Sequence, residues 1–520
     1  MKNLSKIFIA TSLVVFASCE PDFDEPVEDF QATSGDADFS KYIALGNSLT
    51  SGFTDNALFI NGQVNSYPNM LAMQMAMAGG GAFTQPLMPD EIGGFNGPAP
   101  LYMDGRLNLV INPATGAMGP VATPAQSPLT MVNGSVNNMG VPGAKSFHLG
   151  LNGYGNPAGI GVYANPYFVR FASSPSTSVI ADAIAQQPTF FSLWIGNNDV
   201  LSYATGGGVG VDRTGNFDPT TYGSEDITDP TVLATAIKNY LIALDAAGAK
   251  GVIANIPSIT DIPYFTTVPH APLSPTNASF GPMIPALNAQ FGQLNAVFDY
   301  LGVPERKIVF NTDSASAVVI EDETLTDLST QIRTVLVSQG VDVGTATVLA
   351  DTYKKSRQAT AEDLIVFTSQ TIIGQINTTR LTELMTMGVP QEQAAQLSVN
   401  GVTYPLTDKW VLIPTEKQAV LTATAAYNAA IRQLATDYNL AFVDAHKAMQ
   451  DLSSQSGITY FGNTYTTTYV SGGAFSLDAV HLTGKGYAVV ANYFIDAINQ
   501  KYGSTLRNVN PNNYPGIKIP

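Results

Sequence analysis

Five short apolar runs constrain this chain more than any other feature: residues 42–45, 136–139, 190–195, 251–256 and 440–443. A brief, continuously apolar run is the pattern of a strand buried on both faces. Amphipathic helical periodicity lies between the runs, at 178–186, 231–247, 284–301 and 418–438, and a final helix is predicted from about 484 to 502. Strands alternating with helices predict an α/β fold, a parallel sheet of about five strands covered on both faces. Ligands of such sheets sit beyond the carboxyl ends of the strands. The first three runs each end there in a polar, glycine-bearing turn.

Long insertions interrupt the alternation, at about 57–133, 202–230 and 303–415. The first is rich in Met, Gly and Pro, with one helix predicted near 67–77, where the stretch "MLAMQMAM" has mostly the spacing of a core helix. The second contains "GGGVGVDRTG", which follows no strand directly and lacks the Lys-Ser/Thr of a phosphate loop. The third is expected to form a small subdomain or lid. Its place inside the alternation argues for a single domain over 40–520.

The start of the chain reads as an export signal. Lys2 and Lys6 precede an apolar core at 7–16, too short to span a bilayer. Phe16-Ala17-Ser18-Cys19 then resembles a bacterial lipoprotein processing site, with Phe16 where Leu is usual. The resemblance implies a signal peptide over 1–18 and lipidation of Cys19, whose acyl chains would anchor the protein to a membrane. An acidic, Pro-containing tether follows over 19–39. Its acidic start looks like the surface-export signals of some Gram-negative lipoproteins, implying an outer-membrane location on the periplasmic or cell-surface face. Cys19 is the only cysteine, so no disulfide framework is possible. The formal charge of −17 would repel polyphosphate, which argues against nucleic acid as a partner.

Four segments carry candidate chemistry: Gly46-Asn47-Ser48-Leu49, "NNMGVPGAKS" from Asn137 to Ser146, "WIGNNDVL" from Trp194 to Leu201, and "SLDAVHLTGKGY" from Ser476 to Tyr487. Three lie at predicted strand ends and the fourth just ahead of the final helix. A serine nucleophile needs a base within hydrogen-bond reach, and the chain has four histidines, His148, His270, His446 and His481. His481 has Asp478 three residues before it, an offset that can put both side chains on one side of a turn. Asp478 could then accept the Nδ1–H and leave Nε2 to take the Ser48 proton. His446, two residues after Asp444, is the alternative base. His148 follows the second segment and reads as a partly buried structural residue. His270 lies among prolines in a loop and reads as exposed. By itself, a serine such as Ser48 would more often cap a helix than act as a nucleophile.

In this order the four segments resemble those of the SGNH (GDSL) hydrolase family, over most of residues 40–502 apart from the insertions. The resemblance implies a three-layer α/β/α sandwich of flavodoxin-like type and a serine esterase or lipase without metal or organic cofactor. It maps the oxyanion donors onto the backbone N–H groups of Ser48 and Gly143, with Gly140 as the alternative, and onto the side-chain amide of Asn198. Asn47 departs from the pattern, where Asp is usual. The expected substrate is a carboxylic ester: a lipid, an acetylated glycan or a small soluble ester. Two other functions fit the same scaffold, a non-catalytic surface binding lipoprotein and an acyltransferase to a glycan. Residues 457–473, alternating Tyr and Thr, predict a two-stranded hairpin leading to Asp478, whose tyrosines either wall the cleft or pack on a solvent-facing hairpin.

Overall fold

A computed structural model describes residues 31–113 and 116–520. The export signal, Cys19 and the acidic run after it lie outside the described residues. Among the described residues no helix is long and apolar enough to cross a membrane.

Each of the five apolar runs contributes a strand to one sheet: β1 (Tyr42–Gly46), β2 (Asn138–Gly140), β3 (Phe190–Trp194), β4 (Lys250–Ala254) and β5 (Ala441–Val443). The order is β5-β4-β3-β1-β2, and every pairing is parallel. Ile43, Ala44 and Leu45 are fully buried, which is why β1 reads as an unbroken apolar run. Alternate residues of β3 meet the C-terminal helix (Gly484–Tyr502): Phe190 packs edge-on to Tyr502 and Trp194 lies 5.9 Å from Phe494. The Met-rich helix (Tyr67–Met77) joins that group, with Tyr67 stacked on Phe494 at 4.6 Å. Its Met70 and Met75 are buried while Met73 and Met77 are exposed, as a core helix requires. A second pair of helices, Pro230–Ala246 and Pro414–Asp437, packs together elsewhere against the sheet strands and loops. The arrangement is α/β, consistent with three layers.

Two elements differ from expectation. The helix Ile284–Tyr300 does not cover the sheet: its Leu287, Phe291, Leu294 and Phe298 belong to a second hydrophobic core drawn from Val268 to Ile413. The inserted unit therefore begins ahead of residue 303. Its helix finds its apolar partners in Ile308, Val319, Ile332 and Tyr353 of the same unit. Buried Arg306 ties that unit together by donating to the carbonyls of Ser356, Thr326, Tyr353 and Lys354. The hairpin predicted over 457–473 is shorter: Ile458–Tyr460 pairs with Asn463–Tyr465. Phe461 and Gly462 both have positive φ, the geometry of a two-residue turn that matches strand twist. Beyond it Tyr465 packs in the core and Tyr469 donates to the carbonyl of Leu477, so these tyrosines support the chain that leads to His481.

Candidate active site

Strand register places three loops side by side. Gly46 of β1 is level with Gly140 of β2 and with Trp194 of β3. The chain beyond each strand therefore emerges on one edge of the sheet, carrying Ser48, Gly143 and Asn198 respectively. The turn after β1 is tight. A Cβ on Gly46 would stand 2.1 Å from Thr50 Oγ1 and 2.4 Å from the Trp194 carbonyl, so only glycine fits. Asn47, not Ser48, caps the short helix Ser48–Ser51, accepting from the Leu49 N–H at 3.1 Å. Ser48 is the first residue inside that helix, with its hydroxyl free of capping duty.

The loops are cross-linked by buried polar contacts. Asn47 donates to Asn197 Oδ1 at 3.0 Å, and Asn198 donates to the Ala144 carbonyl at 3.0 Å. Fully buried Asp199 accepts from both the N–H and the hydroxyl of Ser146, each at 2.7 Å, and burial raises its carboxyl above the usual range. Tyr240 of the helix Pro230–Ala246 donates to the Ser146 carbonyl and accepts from the Gly150 N–H, anchoring the second loop from beneath.

The fourth segment closes on Ser48. His481 Nε2 lies 2.9 Å from Ser48 Oγ, and His481 Nδ1 lies 2.9 Å from Asp478 Oδ2. The Asp478 side chain is 8% exposed and that of His481 15%. Asp478 Oδ2 also accepts from the Asn56 N–H at 2.8 Å. Its Oδ1 accepts from the N–H groups of Val480 and His481 and from the Ser476 hydroxyl, at 2.9, 2.8 and 3.0 Å. Burial pushes this carboxyl up. The His481 charge and these hydrogen bonds outweigh burial and hold it well below the usual carboxylate range. Ala479 sits between the two residues at φ +63°, a left-handed conformation costing an alanine about 1–2 kcal/mol. It is held by its own N–H to Ser476 and by Tyr264, which donates to its carbonyl. The Phe53 ring packs on the imidazole at 4.7 Å between centroids.

Among the described residues, the backbone N–H groups of Ser48 and Gly143 have no protein acceptor. Gly143 has φ +79°, and a Cβ there would meet nothing within 4 Å, so open space adjoins this residue. Gly140 does not offer this: its N–H donates to Asn138 Oδ1, and a Cβ on it would stand 2.4 Å from Ser51 N. Asn198 uses one amide hydrogen on Ala144 and keeps a second.

The other histidines lie in different settings. His446 follows Asp444, but Asp444 is the N-cap of the helix Ala445–Ser453 and pairs with Arg432. His446 Nε2 meets Gln450, four residues on, and its N–H goes to Asn255, so the alternative base is not brought to Ser48. His148 stacks on Tyr154 and accepts from the Lys145 N–H; burial and the Lys145 charge lower its pKa to about 4. His270 is half-buried and bonded through its carbonyl to Val318 of the inserted unit. The glycine-rich loop spends its amides internally, with Val211 donating to Asp226 and Gly215 to Asp229. The carboxylates of Glu323, Asp408 and Glu416 come within 4.8 Å of one another. Burial and the two neighbouring acids raise Glu416 to about 9, so the cluster holds a proton at neutral pH.

Sequence reasoning missed the turn Thr54–Ala57. Asp55 and Asn56 both have positive φ there, and the turn delivers the Asn56 N–H to Asp478 and the Asp55 N–H to Ser476. An Asp-Asn pair is a left-handed turn signal that was present in the sequence. No family model, curated protein or solved structure matches this chain.

Proposed function

We propose that this chain is a serine hydrolase of the SGNH type that cleaves carboxylic esters through an acyl-enzyme, on a three-layer α/β/α sandwich. The observation that carries this reading is the unbroken hydrogen-bonded chain from Ser48 Oγ through His481 to Asp478. Unpartnered amides on the neighbouring loops support it. His481 Nε2 takes the Ser48 proton as Oγ attacks the ester carbonyl. Negative charge on the carbonyl oxygen is met by the N–H groups of Ser48 and Gly143 and the remaining Asn198 amide hydrogen. Collapse expels the alcohol, which takes the proton from His481. Water then attacks the acyl-Ser48 ester, giving its proton to His481, and the carboxylic acid leaves as Oγ is reprotonated. Asp478 stays ionised, fixes the tautomer and stabilises the imidazolium. In this reading Cys19 carries the lipid anchor, and the body is tethered at a membrane surface.

A fluorophosphonate probe tests the enzyme reading directly. The expected result is a covalent adduct on Ser48 in the wild type, located by peptide mass, and none in Ser48→Ala. Absence of labelling under conditions that label other serine esterases would overturn it in favour of a non-catalytic binding protein on the same scaffold.

A further inference from the structure

The two carbonyls that flank Asp478 in the chain are both held by tyrosines. Leu477 accepts from the Tyr469 hydroxyl at 2.8 Å, and Ala479 accepts from the Tyr264 N–H at 3.0 Å. Among the described residues neither carbonyl has another protein donor. Ala479, at φ +63°, keeps a left-handed conformation that persists only where its surroundings over-determine it. Tyr264 also reaches further. Its hydroxyl donates to the carbonyl of Thr205 at 3.3 Å, the last residue of the helix that begins at Asn198. Tyr264 therefore joins the turn that carries Asp478 and His481 to the helix that carries the Asn198 amide.

One residue of the inserted unit meets both tyrosines. The Phe367 ring stands edge-on to Tyr469 at 4.7 Å and lies 6.2 Å from Tyr264 between centroids. Its neighbour Thr368 places Oγ1 3.4 Å from the Tyr264 hydroxyl. The chain brings Phe367 there by crossing between two cores. Leu364–Ile365 pairs antiparallel with Val411–Leu412, and Ile365 is buried in the core of the inserted unit. Val366 and Phe367 follow directly and are buried in the core around the sheet.

We infer that Phe367 is a positioning residue. Through its ring the inserted unit holds Tyr264 and Tyr469 against the Leu477–Ala479 turn, and so keeps Asp478 and His481 in register with Ser48. This rests on the ester-hydrolase reading. His481 serves both formation and hydrolysis of the acyl-enzyme, so a displaced turn slows both steps while the groups that bind substrate stay in place. Loss of the Phe367 ring therefore falls on kcat and not on KM.

The test measures kcat and KM on p-nitrophenyl acetate, and the rate of fluorophosphonate labelling of Ser48, in the wild type and four variants. Phe367→Ala should lower kcat by about tenfold or more with KM within about twofold, and slow labelling in proportion. Phe367→Leu, which restores most of the apolar volume, should recover most of the loss. Tyr469→Phe keeps the ring contact but removes the bond to the Leu477 carbonyl, and should lower kcat by about fivefold. Leu384→Ala is the control for a general loss of stability: Leu384 is fully buried in a small cluster of the inserted unit with Val348 and Ala394, apart from both tyrosines. It should lower the melting temperature and leave kcat as in the wild type. Wild-type kcat in Phe367→Ala, or an equal loss in Leu384→Ala, overturns the positioning role and leaves the hydrolase reading intact. Should Phe367→Ala fail to fold, Tyr469→Phe decides, and wild-type kcat in that variant overturns the role. A wild type that neither labels nor turns over ester overturns the two together.

Discussion

Replacing Asp478 by Asn changes one atom and should disable the site. The carboxylate accepts from five donors: His481 Nδ1 and the Asn56 N–H on Oδ2, and the Val480 N–H, His481 N–H and Ser476 hydroxyl on Oδ1. An amide has one acceptor oxygen, so its NH₂ must confront either two donors or three. The less costly orientation keeps the oxygen toward the three donors and turns NH₂ toward His481 Nδ1 and Asn56. His481 can relieve that clash only by moving its proton to Nε2, which then points a hydrogen at Ser48 Oγ and can no longer accept one. The expected loss in kcat/KM on an activated ester is about 10⁴-fold, or about 5.4 kcal/mol of transition-state stabilisation.

The same variant has a readout independent of turnover. The folded-state pKa of Asp478 is depressed, so between its ordinary value and that lower one the unfolded chain binds more protons than the native chain. This contribution to stability is fully present above the unfolded pKa and is lost as pH falls through the folded one. Asp478→Asn removes the slope, and the Asn56 N–H left without an acceptor costs about 1–3 kcal/mol at neutral pH. Urea unfolding at several pH values from neutral into the acid range measures both effects. Turnover within tenfold of wild type, or an unchanged acid limb, would refute the reasoning.

Other substitutions probe neighbouring parts of the site. His481→Ala should abolish turnover of an activated ester while His446→Ala retains most of it; the reverse result in steady-state kinetics would move the base to the helix Ala445–Ser453. Asn47→Asp should turn the Asn197 amide so that Nδ2, buried and unpartnered in the native chain, donates to the new carboxylate. A melting temperature equal to or above wild type and kcat/KM within tenfold are expected, and a melting temperature lowered by several degrees would contradict the geometry. Burial raises Asp55 from 3.8 to about 6, so the native chain holds a proton that the unfolded chain has released, and stability falls as pH rises through that window, by at most about 3 kcal/mol. Asp55→Asn keeps the acceptor for the Leu477 N–H and tolerates the positive φ. Its urea midpoints should lose that decline, and an unaltered profile between pH 4 and 7 would refute the assignment.

The strands and the Asp478–His481 pair were legible because their signals are local, whereas Ser48 became legible only through the order of the four segments taken together. A parallel strand buried on both faces is an uninterrupted apolar run, and the Asp478–His481 offset is a property of one turn. What the sequence hid was what each buried face packs against. The periodicity of the helix Ile284–Tyr300 showed that it buries a stripe, but only contacts with Ile308, Val319 and Tyr353 reveal that the stripe serves the inserted unit and not the sheet.

Asn47 makes the same point inside a single motif. Taken with its neighbours alone, it is a departure that removes a charge beside Ser48. In the folded chain its Oδ1 caps Leu49 and its Nδ2 donates to Asn197, a residue of the third segment. An aspartate at 47 could make the first contact but would repel the Asn197 oxygen as it now stands. Residues 47 and 197 therefore act as one unit, and the orientation of the second amide decides how much the first substitution costs.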